Sequence, residues 1–160
     1  MYRQSIWEAE TFYRKRDVII VGAGFTGLWS AVSIKENYPD KTVLIIEKNA
    51  VPLGSSTRNA GFACFGSLTE IISDAAAMGW EKTLELVKMR YDGLKKIQDY
   101  FPASEIDFEL CGGYEILSND SALQKLEEVN SKLEPVTGNR TTFCPNQVKL
   151  AESASENLNI

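Results

Sequence analysis

Residues 17–28 read DVIIVGAGFTGL, four apolar residues at 18–21 followed by three glycines in a G-x-G-x-x-G frame. The β-branched Val and Ile residues suit a short strand buried on both faces, and the glycine turn ends it at once. From Thr26 the apolar residues Leu28, Ala31, Val32 and Ile34 recur near helical spacing, and Pro39 stops them, which predicts a helix over 26–38. Residues 41–48, KTVLIIEK, supply a second buried strand over 42–47. Strand, helix and strand within about thirty residues make a βαβ unit, whose crossover sets the two strands parallel and adjacent.

Each glycine of the first turn has its own steric task. Gly22 permits the tight bend, Gly24 lets main chain approach a pyrophosphate, and Gly27 lets the helix pack closely on the strand. The helix that starts near Thr26 aims unpaired N–H groups and the positive end of its dipole at the turn, where an anion is favoured. Glu47 ends the second strand twenty positions after Gly27. A carboxylate there accepts hydrogen bonds from ribose hydroxyls and disfavours a 2'-phosphate. The pattern predicts a dinucleotide site without separating NAD from FAD.

Composition narrows the alternatives. The 160 residues are 44% hydrophobic and 24% charged, the balance of an ordinary folded domain. A net charge of −5 and the lack of a lysine or arginine stripe argue against nucleic acid as the partner. Histidine is absent, which removes Ser-His-Asp and Cys-His nucleophiles and most zinc chemistry. Cys64, Cys111 and Cys144 form no C-x-x-C pair and read as buried or incidental thiols. No apolar run reaches the length of a membrane span or a signal core, so the chain reads as cytoplasmic. Any redox chemistry must be carried by a cofactor.

Beyond the second strand, residues 51–67 lack periodicity and form a long loop, a length usually associated with function. Ser67 and Glu70 have capping-box spacing and predict a helix to Met78, with Gly79 closing it. Leu84, Val87, Tyr91, Leu94, Ile97 and Phe101 mark an amphipathic helix over 80–101. Residues 108–117 (FELCGGYEIL) read as a strand interrupted by Gly112 and Gly113, with Asp107 and Glu109 facing outward. Ser118 to Asp120 offer caps for a last helix, with Leu123, Leu126, Val129 and Leu133 inward and Pro135 after its end. Glu127 and Glu128 read as its solvated face. The pattern fades after Thr141.

The stretch GSSTRNAG at 54–61, together with DVIIVGAGFTGL and VLIIEK, resembles the FAD-dependent oxidoreductases of the D-amino acid oxidase and glycine oxidase superfamily. The likeness is greatest to the gamma-glutamylputrescine oxidase-like branch, whose short aromatic N-terminal segment is similar to SIWE at 5–8. The resemblance implies FAD as cofactor. It places Gly22, Gly24, Phe25, Thr26 and Gly27 around the pyrophosphate, with Glu47 on the adenosine ribose and Lys48 nearby. Ser56, Thr57, Arg58, Asn59, Ala60 and Gly61 then fall along the phosphates and the flavin ring. Arg58 suits that place chemically, because a guanidinium offers a diphosphate a planar fork of donors. Cys64 matches no attachment site of the family.

The implied fold class is α/β: a Rossmann-like FAD-binding βαβ unit, then helices, then the start of a substrate-domain sheet. The corresponding division is an N-terminal extension over 1–16, an FAD-binding portion over 17–106 and the beginning of a substrate-binding domain over 107–160. The family's members are much longer, so the chain reads as incomplete and as inactive alone. The implied reaction is oxidation of a small amine or amino acid by hydride transfer to flavin N5. Two alternatives stay open, a non-catalytic nucleotide-binding or interaction module and an NAD-linked dehydrogenase fragment, although GSSTRNAG speaks against the second. An exposed edge on a sheet of only two strands further predicts self-association.

Overall fold

The computed structural model describes residues 3–117 and 119–142. The chain divides after Phe62 into two compact units.

The first unit opens with a short helix, α1 (Ile6–Glu10), started by a full capping box in which Ser5 Oγ accepts from Glu8 N–H and the Glu8 carboxylate accepts from Ser5 N–H. Strand β1 (Val18–Val21), helix α2 (Phe25–Asn37) and strand β2 (Val43–Ile46) follow. The strands pair in parallel, Val18 opposite Val43 and Val21 opposite Ile46, as the crossover required. Asp17 fastens the start of this ladder. Its carboxylate accepts from Thr42 N–H (2.8 Å) and Thr42 Oγ1 (2.7 Å), with Lys41 Nζ at 3.2 Å. Those contacts, led by the Thr42 N–H, hold its carboxyl at about 2, below the ordinary 3.8.

Burial on both strand faces is not what the structure shows. Ile19 is 56% exposed, Val21 85% and Ile46 47%, and Leu28 and Phe25 of α2 also reach solvent. Among the described residues the ladder has two strands with α2 packed on it, so this unit supplies no second layer for the alternate side chains of the far face.

The second unit holds the hydrophobic core. Helices α3 (Leu68–Met78), α4 (Trp80–Tyr100) and α5 (Leu126–Thr137) pack together through Leu68, Ile71, Val87, Leu126, Val129 and Leu133. Ser67 caps α3 by accepting from Glu70 N–H, while the Glu70 carboxylate turns to Arg90 of α4 at 2.7 Å. Gly79 separates α3 from α4, and the buried Thr83 donates its hydroxyl back to the Gly79 carbonyl at 2.9 Å. Tyr91 meets Phe65 edge to face and donates to Thr137 O at 2.9 Å, tying α4 to the end of α5. Buried Asn130 holds the Thr142 main chain by both groups, Nδ2 to O at 2.8 Å and N–H to Oδ1 at 3.1 Å.

Three expectations are corrected here. Residues 108–117 form no strand among the described residues: a ladder needs a partner, none lies alongside, and Leu110, Tyr114 and Ile116 stand 80–93% exposed. The segment is fixed instead by Glu115, whose carboxylate accepts from Ser67 Oγ (2.9 Å), Thr69 Oγ1 and Thr69 N–H (3.2 Å). Asp107 takes a left-handed φ of 48°, which ends the outward alternation expected of it with Glu109. Helix α5 does not stop before Pro135 but runs through it to Thr137, because the ring removes one ladder bond near the end while buried Leu133 and Thr137 anchor the last turn.

The expected inward set Leu123, Leu126, Val129 and Leu133 lies in or against the core. Phe101, expected to pack, is 40% exposed. Asn119 caps through Ser121 N–H at 3.0 Å, and a single 3-10 turn over Leu123–Lys125 leads into α5. Glu127 is exposed but paired bidentately with Arg140. Cys64 and Cys111 are free and exposed, which makes them incidental rather than buried; Ser118 and Cys144 lie outside the described residues.

Candidate functional site

The glycine turn sits where β1 ends and α2 begins. Gly22 has φ +101°, a conformation that L side chains avoid, and its N–H donates to Ile46 O at 2.7 Å, so the bend is pinned to the end of β2. Gly27 is required for a different reason. A Cβ there would lie 2.1 Å from the Gly22 carbonyl oxygen and 3.2 Å from Ile20 Cγ2, so α2 rests directly on the turn. Leu28 is the residue whose N–H returns to Gly24 O (2.9 Å), which leaves the N–H groups of the first turn aimed out of the helix end.

Two downstream elements reach this end. Glu47 closes β2 and accepts from Ala23 N–H at 2.9 Å through one oxygen and from Asn49 N–H at 3.2 Å through the other. Those main-chain donors, Ala23 first, lower its pKa below the usual carboxylate range, so it stays ionised at neutral pH. The loop Gly54–Gly61 brings Ser56, whose Oγ accepts from Phe25 N–H at 2.9 Å and lies 3.1 Å from where a Gly24 Cβ would stand. Any side chain at Gly24 would therefore press on Ser56.

Of the thirteen residues proposed from sequence, the structure brings Gly22, Gly24, Phe25, Gly27, Glu47 and Ser56 together through these contacts, with Thr26 in the first turn of α2. Thr57 and Asn59 bond the loop's own main chain: Thr57 Oγ1 donates to Pro52 O (2.7 Å), and Asn59 bridges Ser55 O, Ser56 O and Gly61 N–H. Lys48, Arg58, Ala60 and Gly61 are exposed. Ala23 was missed, because its part is played by an N–H and its side chain gives no signal. A groove of about 420 Å³ in this unit lies at the opposite end of the strands, beside Arg16, Lys35, Lys41, Thr42 and Val43.

The arrangement fits a dinucleotide: a helix N-terminus whose dipole favours an anion, its first N–H held by Ser56, with bare main chain at Gly24 where a Cβ would intrude and an ionised carboxylate at the end of the neighbouring strand. The fold and site define a dinucleotide-binding α/β unit. The profile of the family described as FAD dependent oxidoreductase matches residues 17–155, and the chain belongs to that family, whose cofactor is FAD. Among curated proteins it is 30% identical over 119 residues to the gamma-glutamylputrescine oxidoreductase of Escherichia coli (strain K12). That alignment takes in 74% of this chain and 28% of the relative, so the chain spans well under a third of that protein's length. No solved structure matches significantly. Among the described residues no helix is long and apolar enough to cross a membrane.

Proposed function

We propose that the chain forms the ADP-binding part of a cytoplasmic flavoenzyme that oxidises a small amine or amino acid by hydride transfer to flavin N5. The observation that carries this reading is the Phe25–Ser56 contact, which sets the GSSTRNAG loop against the mouth of the glycine turn. FAD, when bound, supplies the hydride acceptor. Gly22, Gly24 and Gly27 shape the seat, the N-terminus of α2 attracts the pyrophosphate, and Glu47, ionised and held toward the turn, offers acceptors to the ribose. Arg58, exposed on the loop, can fold onto a phosphate. The chain's share is thus binding and orientation.

In this reading residues 17–106 serve the FAD-binding portion and 107–160 begin the substrate-binding domain, preceded by an N-terminal extension over 1–16. The amine or amino-acid substrate class is supported by the name of the E. coli relative. The exposed far face and edge of the β1–β2 sheet would make a surface for self-association, visible as a concentration-dependent mass in sedimentation.

The test is an absorption spectrum of the purified chain and separate titrations of its apo form with FAD and NADH. A flavin spectrum that disappears in Gly24→Glu and Arg58→Glu supports the proposal. Selective uptake of NADH would replace it with an NAD-linked reading, and a folded chain that binds neither nucleotide would overturn it.

A further inference from the structure

Asn59 makes three hydrogen bonds to main chain from one planar amide. Its Nδ2 donates to Ser55 O and to Ser56 O, each at 3.1 Å, and its Oδ1 accepts from Gly61 N–H at 2.8 Å. All three bonded groups belong to the loop that carries Ser56. Fixing the Ser55 and Ser56 carbonyls fixes the peptide planes on both sides of the Ser56 Cα, and with them the direction of its Cβ. That direction delivers Oγ to Phe25 N–H at 2.9 Å. The same hydroxyl stands within 3.1 Å of the bare Gly24 position, so a small rotation of the loop would either break the bond or fill the space at Gly24.

We infer that Asn59 is a positioning residue for the nucleotide seat: it braces Ser55 and Ser56 so that the Ser56 hydroxyl holds the first N–H of α2, and it acts on affinity through Ser56 rather than by touching the ligand. The inference rests on the FAD reading above. It also departs from the role implied by the resemblance, in which Asn59 lies along the phosphates and the flavin. Its amide is already directed at the loop's own main chain. Ser56, accepting from Phe25 N–H through a lone pair, keeps its own proton to donate outward. The loop and the turn therefore arrive at a ligand already joined, which lowers the ordering cost of binding.

The substitutions Asn59→Ala and Ser56→Ala, alone and combined in the full chain, test this. Amide exchange at Phe25 is measured without ligand, and Kd is measured for ADP and for FAD. Each single change is expected to speed Phe25 exchange and to weaken ADP and FAD alike by about tenfold, the scale of one or two lost hydrogen bonds. The double variant is expected to bind no worse than the weaker single one. Asn59→Asp keeps the acceptor for Gly61 N–H but turns an oxygen toward two carbonyls, so it is expected to match Asn59→Ala or fall below it. Losses that add in the double variant would place Asn59 on the ligand and overturn the inference. So would Phe25 exchange that is unchanged in Asn59→Ala. If the parent chain takes up neither nucleotide, the FAD reading fails on that result, whereas the bracing of Ser56 stands or falls on Phe25 exchange alone. Unaltered helical circular dichroism separates all of these outcomes from unfolding.

Discussion

Replacing Gly27 with alanine puts the packing of the turn to a direct test. The added Cβ would stand 2.1 Å from the Gly22 carbonyl oxygen, against a floor near 3.0 Å for real Cβ contacts, so α2 must retreat from the turn by about 1 Å. The opposing atom belongs to the main chain and cannot rotate away, and Ile20 Cγ2 at 3.2 Å blocks a sideways escape. Such overpacking costs about 3 kcal/mol, and the better helix propensity of alanine returns about 1 kcal/mol, leaving a net loss of about 2 kcal/mol. Gly93, in the exposed middle of α4, provides the contrast: nothing lies within 4 Å of its Cβ position, so Gly93→Ala should gain up to about 1 kcal/mol. Chemical denaturation measures both variants, read at a probe in the second unit for Gly93→Ala and, paired with ADP titration, at a probe in the first unit for Gly27→Ala. Gly27→Ala should lose stability in the first unit and bind ADP at least tenfold more weakly, because the phosphate seat moves with the helix. If it keeps parent stability and affinity, the steric account of the turn is wrong.

Further outcomes follow from other contacts. Leu133 is fully buried, so Leu133→Ala should cost about 2–5 kcal/mol, and a loss below about 1 kcal/mol in denaturant titration would mean that the three-helix core is not formed as described. Tyr91→Phe removes the donor to Thr137 O and should cost about 1 kcal/mol while leaving the helical circular dichroism unchanged. Asp17, held at about 2 when folded against 3.8 ordinarily, contributes stability that is fully present above the ordinary value and is lost as pH falls through the folded one. Melts between about pH 5 and about pH 2 should therefore be less pH-dependent in Asp17→Asn, and an NMR titration midpoint for Asp17 at or above 3.8 would refute the Thr42 clamp.

Much of the candidate site could be read from local pattern. G-x-G-x-x-G between a β-branched run and a helical period gives each glycine a steric task, and the distances at Gly27 agree with close packing of helix on strand, while the neighbour that crowds Gly24 is Ser56. Helices α3 and α4 were equally legible, since Ser67, Gly79 and the three-four spacing of apolar residues are signals within a single segment. Residues 108–117 were not, because apolar alternation describes a segment able to pair, while pairing depends on a neighbour that the segment itself does not contain.

Sequence by itself determined the order of β1, α2 and β2 and their parallel crossover, which follow from short-range sterics and periodicity. Only the tertiary structure decided which polar groups meet. Glu47 could be placed at the end of a strand but not on Ala23 N–H, and Ser56 and Asn59 could be placed in one loop but not sorted into a tie to α2 and a brace for the loop. Hydrogen bonds between residues 24 and 31 positions apart depend on where the backbone returns in space, and spacing along a chain carries no record of that return.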